Sequence, residues 1–269
     1  MLSDSLAWQL KIFDKTLKKK EKLAIIRSIL PDLTDCLCLD LGCSKGTISY
    51  FLKQEGGLWF HEDLDYVNVK TTKELVGNNV AVIPPHAIPH RSDIFDVIVS
   101  LDILEHLHDD MNFVNEMARV LKPGGTLILS TPVTGRFYLV NRLKNMAGLT
   151  PDQYGHVIEG YTSKQLEKMM SDAGLTISSS TTYSRFFTEF VEFLLNLVFV
   201  KFFRKNKSRK RDGNISPGTA EEVAALKKQL KMYSLIYPFV WLFTRLDTIW
   251  KFLGFKGYAT LIICNKEQK

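Results

Sequence analysis

Between residues 36 and 132 short apolar runs alternate with stretches of helical spacing, and few architectures accept that rhythm. The strand candidates are Cys36–Leu41, Leu58–Phe60, Val80–Ile83, Asp96–Leu101 and Thr126–Thr131. Helical spacing falls at 45–55, 67–76 and 110–121. Strand then helix, repeated, implies crossover connections and hence a mostly parallel sheet with helices on both faces. Ligands of such sheets bind at the carboxyl ends of the strands. A later helix over 162–173 has Thr162 as its candidate N-cap and Gly174 as its stop. A strand at 175–183 follows, and the last strand is Tyr258–Cys264.

The flanks are read from composition. Residues 5–29 predict one helix with an apolar stripe of Leu6, Leu10, Phe13, Leu17, Ile25 and Ile26. Lys18-Lys19-Lys20 then reads as a solvated face, and Pro31 ends the helix. The net charge is +6, from 35 Lys and Arg against 29 Asp and Glu, but seven basic residues lie within 201–211. Without them the chain carries −1, so a nucleic-acid partner would have to rest on that one run. Cys36, Cys38, Cys43 and Cys264 include no CxxC pair and no suitably placed histidine, so neither a zinc site nor a disulfide framework is expected. The first residues, Met1-Leu2-Ser3-Asp4, lack the charged-then-apolar pattern of a secretory leader. The expected setting is reducing and cytoplasmic.

Chemistry concentrates where the first strand meets its helix, at Asp40-Leu41-Gly42-Cys43-Ser44-Lys45-Gly46. Small residues let the backbone turn tightly, and the helix start offers unpaired N–H groups to a polar ligand. The dinucleotide pattern G-x-G-x-x-G fails here, because Ser44 and Thr47 stand at its second and third glycines. The stretch resembles motif I of class I S-adenosylmethionine-dependent methyltransferases, Asp-x-Gly-x-Gly-x-Gly, with serine at the middle glycine. Further features resemble that family in order. They are Asp63 after the second strand, Phe95-Asp96-Val97-Ile98-Val99 with Leu104-Glu105-His106, and Arg119-Val120-Leu121-Lys122-Pro123-Gly124-Gly125 before the fifth strand. Gly155-His156, Gly160-Tyr161-Thr162 and Ala173-Gly174-Leu175 resemble the family's late helix and its borders.

The resemblance implies a Rossmann-like, doubly wound sheet of seven strands, the last antiparallel, and S-adenosylmethionine as cofactor. It implies cofactor contacts at Asp40, Gly42, Cys43, Ser44, Gly46, Asp63, Leu64 and Ser100, with Asp63 on the ribose hydroxyls and Glu62 its rival. After the third strand the family often has an aspartate near the adenine, where this chain has Pro84-Pro85-His86-Ala87-Ile88-Pro89. Amino-directed nucleic-acid methylation usually goes with Asn/Asp-Pro-Pro-Tyr/Phe after the fourth strand. Ser100-Leu101-Asp102-Ile103 stands there instead, which favours O- or C-methylation of a small, apolar or lipid-linked acceptor. Histidine titrates near neutrality, so His106 and His156 are the candidate general bases, each with a hydrogen-bonded structural histidine as its alternative.

The expected organisation is an N-terminal helix (1–30), a cofactor-binding core (31–185), a helical insertion (186–255) and a terminal core strand (256–269). Within the insertion, Glu189, Glu192 and Asn196 share one face of an otherwise apolar helix over 186–203. The basic run, a linker at Asp212–Gly218, a capping box of Thr219 with Glu222, and an aromatic stretch around Pro238 follow. Neither apolar stretch reaches the roughly 20 residues of a spanning helix. Three roles remain open: contact with an anionic membrane, on its inner face; a lid over the acceptor; or a dimer contact. Two other readings of the whole remain open too, a non-catalytic cofactor-binding protein and an RNA methyltransferase using the basic run.

Overall fold

The computed structural model describes residues 7–135, 138–203, 224 and 227–268. Seven strands form one sheet: β1 (Leu37–Leu41), β2 (Leu58–Asp63), β3 (Val80–Val82), β4 (Phe95–Leu101), β5 (Leu121–Pro132), β6 (Leu175–Tyr183) and β7 (Ala259–Lys266). Their order is β3-β2-β1-β4-β5-β7-β6. The first five pair in parallel, and β7 runs antiparallel to both β5 and β6. The doubly wound, seven-stranded expectation is borne out, including the antiparallel last strand. The order reverses between β1 and β4, the switch point at which such sheets open a crevice.

The described helices are α1 (Ala7–Phe13), α2 (Lys18–Ile29), α3 (Thr47–Gln54), α4 (Tyr66–Val76), α5 (Asp110–Val120), α6 (Leu139–Met146), α7 (Ser163–Asp172), α8 (Phe186–Phe203), α9 (Lys227–Thr244) and α10 (Leu246–Phe252). Strand periodicity distributes the core between two layers. Leu39, Leu41 and Ile98 join Phe113, Met117, Leu166 and Met170 on the α5–α7 side. Cys38, Val97, Val99 and Leu101 join Ile26 and Leu52 on the α2–α3 side. The described cysteines are free, and Cys38 and Cys264 sit fully buried in these two layers.

Two expectations need correction, and one helix is added. The N-terminal segment is two helices, because the Thr16 hydroxyl donates to the Phe13 carbonyl (2.9 Å) and closes α1 before α2 begins at Lys18. The lysine run is not simply a solvated face, since Lys18 turns inward to Glu189 of α8 at 3.2 Å. Helix α6 was not anticipated, although Leu139, Val140 and Leu143 carry helical spacing. Thr162 caps α7 in a full capping box with Gln165. Pro238 lies inside α9. Residues 204–223, which include most of the basic run, the linker and the Thr219–Glu222 capping box, lie outside the described residues.

Candidate active site

The turn after β1 is built by backbone approach. Gly42 has φ +79°, and a Cβ there would lie 2.7 Å from the Leu101 carbonyl oxygen, so the exit of β4 requires glycine. Ser44 has φ +49°, in the left-handed region that favours glycine. Its N–H donates to Asp63 Oδ2 (2.7 Å), and its carbonyl accepts from the Thr72 hydroxyl (2.8 Å). Gly46 begins α3 at φ +75°, and a Cβ there would meet Thr72 Cα at 2.9 Å. Its missing side chain therefore serves the packing of α3 on α4.

A cavity of about 690 Å³ opens at the switch point. Asp40, Gly42, Cys43, Ser44, Asp63 and Leu64 border it, with Trp8, Phe13 and Lys19 of the N-terminal helices and their join on the far side. Two expected contacts stand apart. Gly46 does not border the cavity, for the packing reason above. Ser100 is fully buried in β4, one residue out of phase with Leu101, so its side chain belongs to the other face of the sheet. The 84–89 stretch also borders neither of the two cavities described here. It is held instead to α5, through Ile88 N–H to Glu116 and Asn112 to the His86 carbonyl.

Asp63 and Glu62 have separated roles. Glu62 turns away to His90 Nε2 at 2.7 Å, while Asp63 faces the cavity. Asp63 is 7% exposed and is fixed by the N–H groups of Ser44 and Asp65 and by Asn68 Nδ2. Burial pushes its carboxyl above the usual range, and those donors work against the shift. Oδ2 accepts one of these bonds and retains acceptor capacity toward the cavity. Asp40 is held through Oδ2 by Ser49 (2.6 Å) and His61 Nδ1 (2.8 Å), while its buried Oδ1 has no partner. These acceptors fit a cofactor that presents hydroxyls and an ammonium group.

A second cavity, about 240 Å³, adjoins the first. Lys18, Asp102, His106, Tyr154, Glu192 and Asn196 border both. His106 sits on a 3₁₀ turn after β4, with Nδ1 2.9 Å from the Gly155 carbonyl oxygen. That contact assigns the Nδ1 proton and leaves the lone pair on Nε2. His156 meets the His106 ring edge-on at 4.9 Å. Burial, and then His106, lower the His156 pKa to about 4, so it stays neutral at pH 7 and is a weak base. Burial raises the Glu105 carboxyl well above its usual range, and Asp102 adds to the shift. Glu105, His106 and His156 bring ligand atoms within 4.8 Å of one another, a grouping that cysteine spacing could not reveal.

The residues missed from sequence are those brought in from afar. Asp102, at φ +50°, is ion-paired to Lys22 of α2 and accepts from the Ser130 hydroxyl (2.9 Å), which meets Tyr183 Oη at 2.7 Å. Glu189 of α8 is 3% exposed and binds Lys18, Lys144 and the Ser184 hydroxyl. Burial alone would push its carboxyl up, but Lys144 and Lys18 hold it well below the usual range. The polar face Glu189–Glu192–Asn196 was the available signal, and it borders the smaller cavity.

The family described as Methyltransferase domain matches residues 14–180. The chain belongs to that family. Its class is that of the S-adenosylmethionine-dependent methyltransferases with the class I fold. A ubiquinone biosynthesis O-methyltransferase of Parvibaculum lavamentivorans is 25% identical over 166 residues, covering 59% of this chain and 65% of that relative. The chain thus spans less than two thirds of that relative's length. Among solved structures, Haemonchus contortus phosphoethanolamine N-methyltransferase 2 in complex with S-adenosyl-L-methionine has a TM-score of 0.57 at 17% identity, covering 93% of this chain and 53% of that one. The [4+2]-cyclase SpnF has a TM-score of 0.59 at 16% identity, covering 93% of this chain and 81% of that one. At such identities the likeness is one of fold, and a cyclase among the neighbours means that chemistry must be argued from the site.

Proposed function

We propose that the protein is an S-adenosylmethionine-dependent O-methyltransferase acting on a hydroxyl of a small or lipid-linked acceptor. The observation that carries this reading is the shared border of the two cavities, where His106 touches both. The cofactor, when bound, supplies an electrophilic methyl group. Asp63 accepts from its ribose hydroxyls, Asp40 Oδ1 faces its cationic end, and the Gly42–Lys45 turn and Leu64 line its seat. His106 Nε2 takes the proton of the acceptor hydroxyl, a contribution of about 10²–10⁴-fold where a base is well placed. His156 orders the His106 ring. At 240 Å³ the smaller cavity suits a compact head group, and its polar border suits one bearing hydroxyls. The name of the Parvibaculum relative favours oxygen over carbon as the acceptor atom.

The remaining parts of the reading are a cytoplasmic setting and an anionic membrane surface as partner of the insertion. No helix among the described residues is long and apolar enough to cross a membrane. An RNA acceptor would rest on the 201–211 run, most of which lies outside the described residues, and no further observation favours it. The test is transfer of an isotopically labelled methyl group to phenols with and without an alkyl chain. Label on the phenolic oxygen is expected. Tight cofactor binding without transfer to any hydroxyl would leave the non-catalytic binding reading in its place.

A further inference from the structure

We infer that the outer face of α9 and α10 is a docking surface for an anionic bilayer, entered by side chains and not by a spanning segment. This rests on the reading of the insertion just given and specifies its face, its residues and its orientation. Met232, Leu235, Phe239, Leu242, Leu246, Ile249 and Leu253 recur at intervals of three and four and are all solvent-exposed. Phe239 is 74% exposed, Leu235 71% and Phe252 91%. A contiguous apolar face of this kind is rare on a protein that works alone in water.

The opposite face packs on α8 and on the join of α1 and α2. The Phe187 ring of α8 packs edge-on against Phe243 at 5.0 Å and Trp250 at 5.7 Å. The Asp247 carboxylate accepts from the N–H groups of Phe187 and Thr188 at 2.9 and 2.8 Å. The Tyr233 hydroxyl donates to the Lys15 carbonyl at 3.2 Å. The two helices are therefore fixed on α8, and their apolar exposure is not a loose end of the chain.

Charge selects the occupant. Lys231, Arg245, Lys251 and Lys256 are exposed along the same helices and their exit, and Arg245 lies over the Trp241 ring at 4.3 Å. The one acid between 227 and 256 is Asp247, which is turned inward. From 201 to 256 the sequence holds 13 Lys and Arg against 4 Asp and Glu, a surplus of nine where the whole chain has six. Two copies meeting on this face would bring Lys231, Arg245, Lys251 and Lys256 of each together, whereas an anionic lipid surface attracts them. Rings enter at headgroup depth while Lys and Arg reach the phosphates. Since Glu189, Glu192 and Asn196 of α8 border the acceptor cavity, the lipid-facing layer lies one helix away from it.

The test is co-sedimentation of the full chain with vesicles of phosphatidylcholine alone or mixed with phosphatidylglycerol. Binding should rise with phosphatidylglycerol and fall with salt. Phe239→Asp with Phe252→Asp should abolish it, and Lys251→Gln with Lys256→Gln should weaken it about thirtyfold. S-adenosylhomocysteine affinity, measured by calorimetry, reports folding of each variant and should not change, because none of the four residues borders either of the two cavities described. Recovery in the supernatant at every lipid composition overturns the inference. So does equal binding to neutral vesicles, or a lipid-free dimer that Phe239→Asp with Phe252→Asp dissolves. A parent chain that binds cofactor but no vesicle counts against this surface alone. Absent cofactor affinity with vesicle binding intact counts against the enzymatic reading alone.

Discussion

Strand β4 and helix α9 are both rich in apolar residues, yet they present them in opposite directions. In β4 the side chains of Phe95, Val97, Ile98, Val99 and Leu101 are buried between two helical layers. In α9 Leu235, Phe239 and Leu242 face outward while Tyr233 holds the helix to Lys15. The amount of apolar surface is thus no guide to what covers it. In the core, neighbours from the same chain do so; on the insertion, the described chain supplies none for the outer face. Between the two lies α8, apolar toward α10 and polar toward the cavities, and this makes it the roof of the acceptor site.

The largest effect expected from this contrast is catalytic. His106→Ala should lower turnover by about 10²–10⁴-fold while cofactor affinity stays near that of the parent. His156→Ala should cost far less, because an imidazole held to about 4 is a poor proton acceptor at pH 7. Equal losses for the two, in single-turnover rates, would overturn the assignment. Next comes stability. Ile98→Ala, in the fully buried core, should cost about 2–5 kcal/mol in denaturant unfolding. Phe239→Ser should stay within about 0.5 kcal/mol, the range of exposed substitutions. A large loss for Phe239→Ser would mean that its face is covered in solution without lipid. Smaller again is Asp63→Ala, which should weaken cofactor binding by about 1.5–3 kcal/mol in calorimetry. An unchanged affinity would remove Asp63 from the ribose.

How far the sequence could be read follows the same division. The strand positions were legible as short apolar runs between turn residues, while the count of seven and the antiparallel last strand came from the family resemblance. Asp63 and the Gly42–Lys45 turn were legible because the carboxyl ends of β1 and β2 carry them to one sheet edge at fixed offsets. Gly46 and Ser100 stand apart from the cavity for equally local reasons: a helix contact at Thr72 and a one-residue phase in β4. Lys18–Glu189 and Lys22–Asp102 were illegible, since they join residues 171 and 80 positions apart. A lysine run looks solvated until the acids that receive it are known.

The smallest expected effect is the most specific to the roof. Glu189 is ionised, buried and held by Lys18 and Lys144, with its carboxyl kept well below the usual range. A group whose folded pKa is depressed contributes stability above its unfolded value, and that contribution is lost as pH falls toward the folded value. Through Glu189, hydrogen-exchange protection of α8 and α6 should therefore not fall as pH drops from about 8 to 5, after correction for intrinsic rates, and should fall only below the ordinary carboxylate range near 4.5. Glu192, one turn further along, has its carboxyl raised by burial and makes the opposite contribution, losing stability as pH rises from that range. Glu192→Gln should therefore strengthen protection at neutral pH and leave the acid limb untouched. Glu189→Gln should remove the acid limb itself, with both lysines left unpaired and α8 exchanging faster at every pH. If protection in the parent already falls between pH 7 and 5, Glu189 is not the clasp, and the roof is held by its apolar contacts with Trp250 and Phe243.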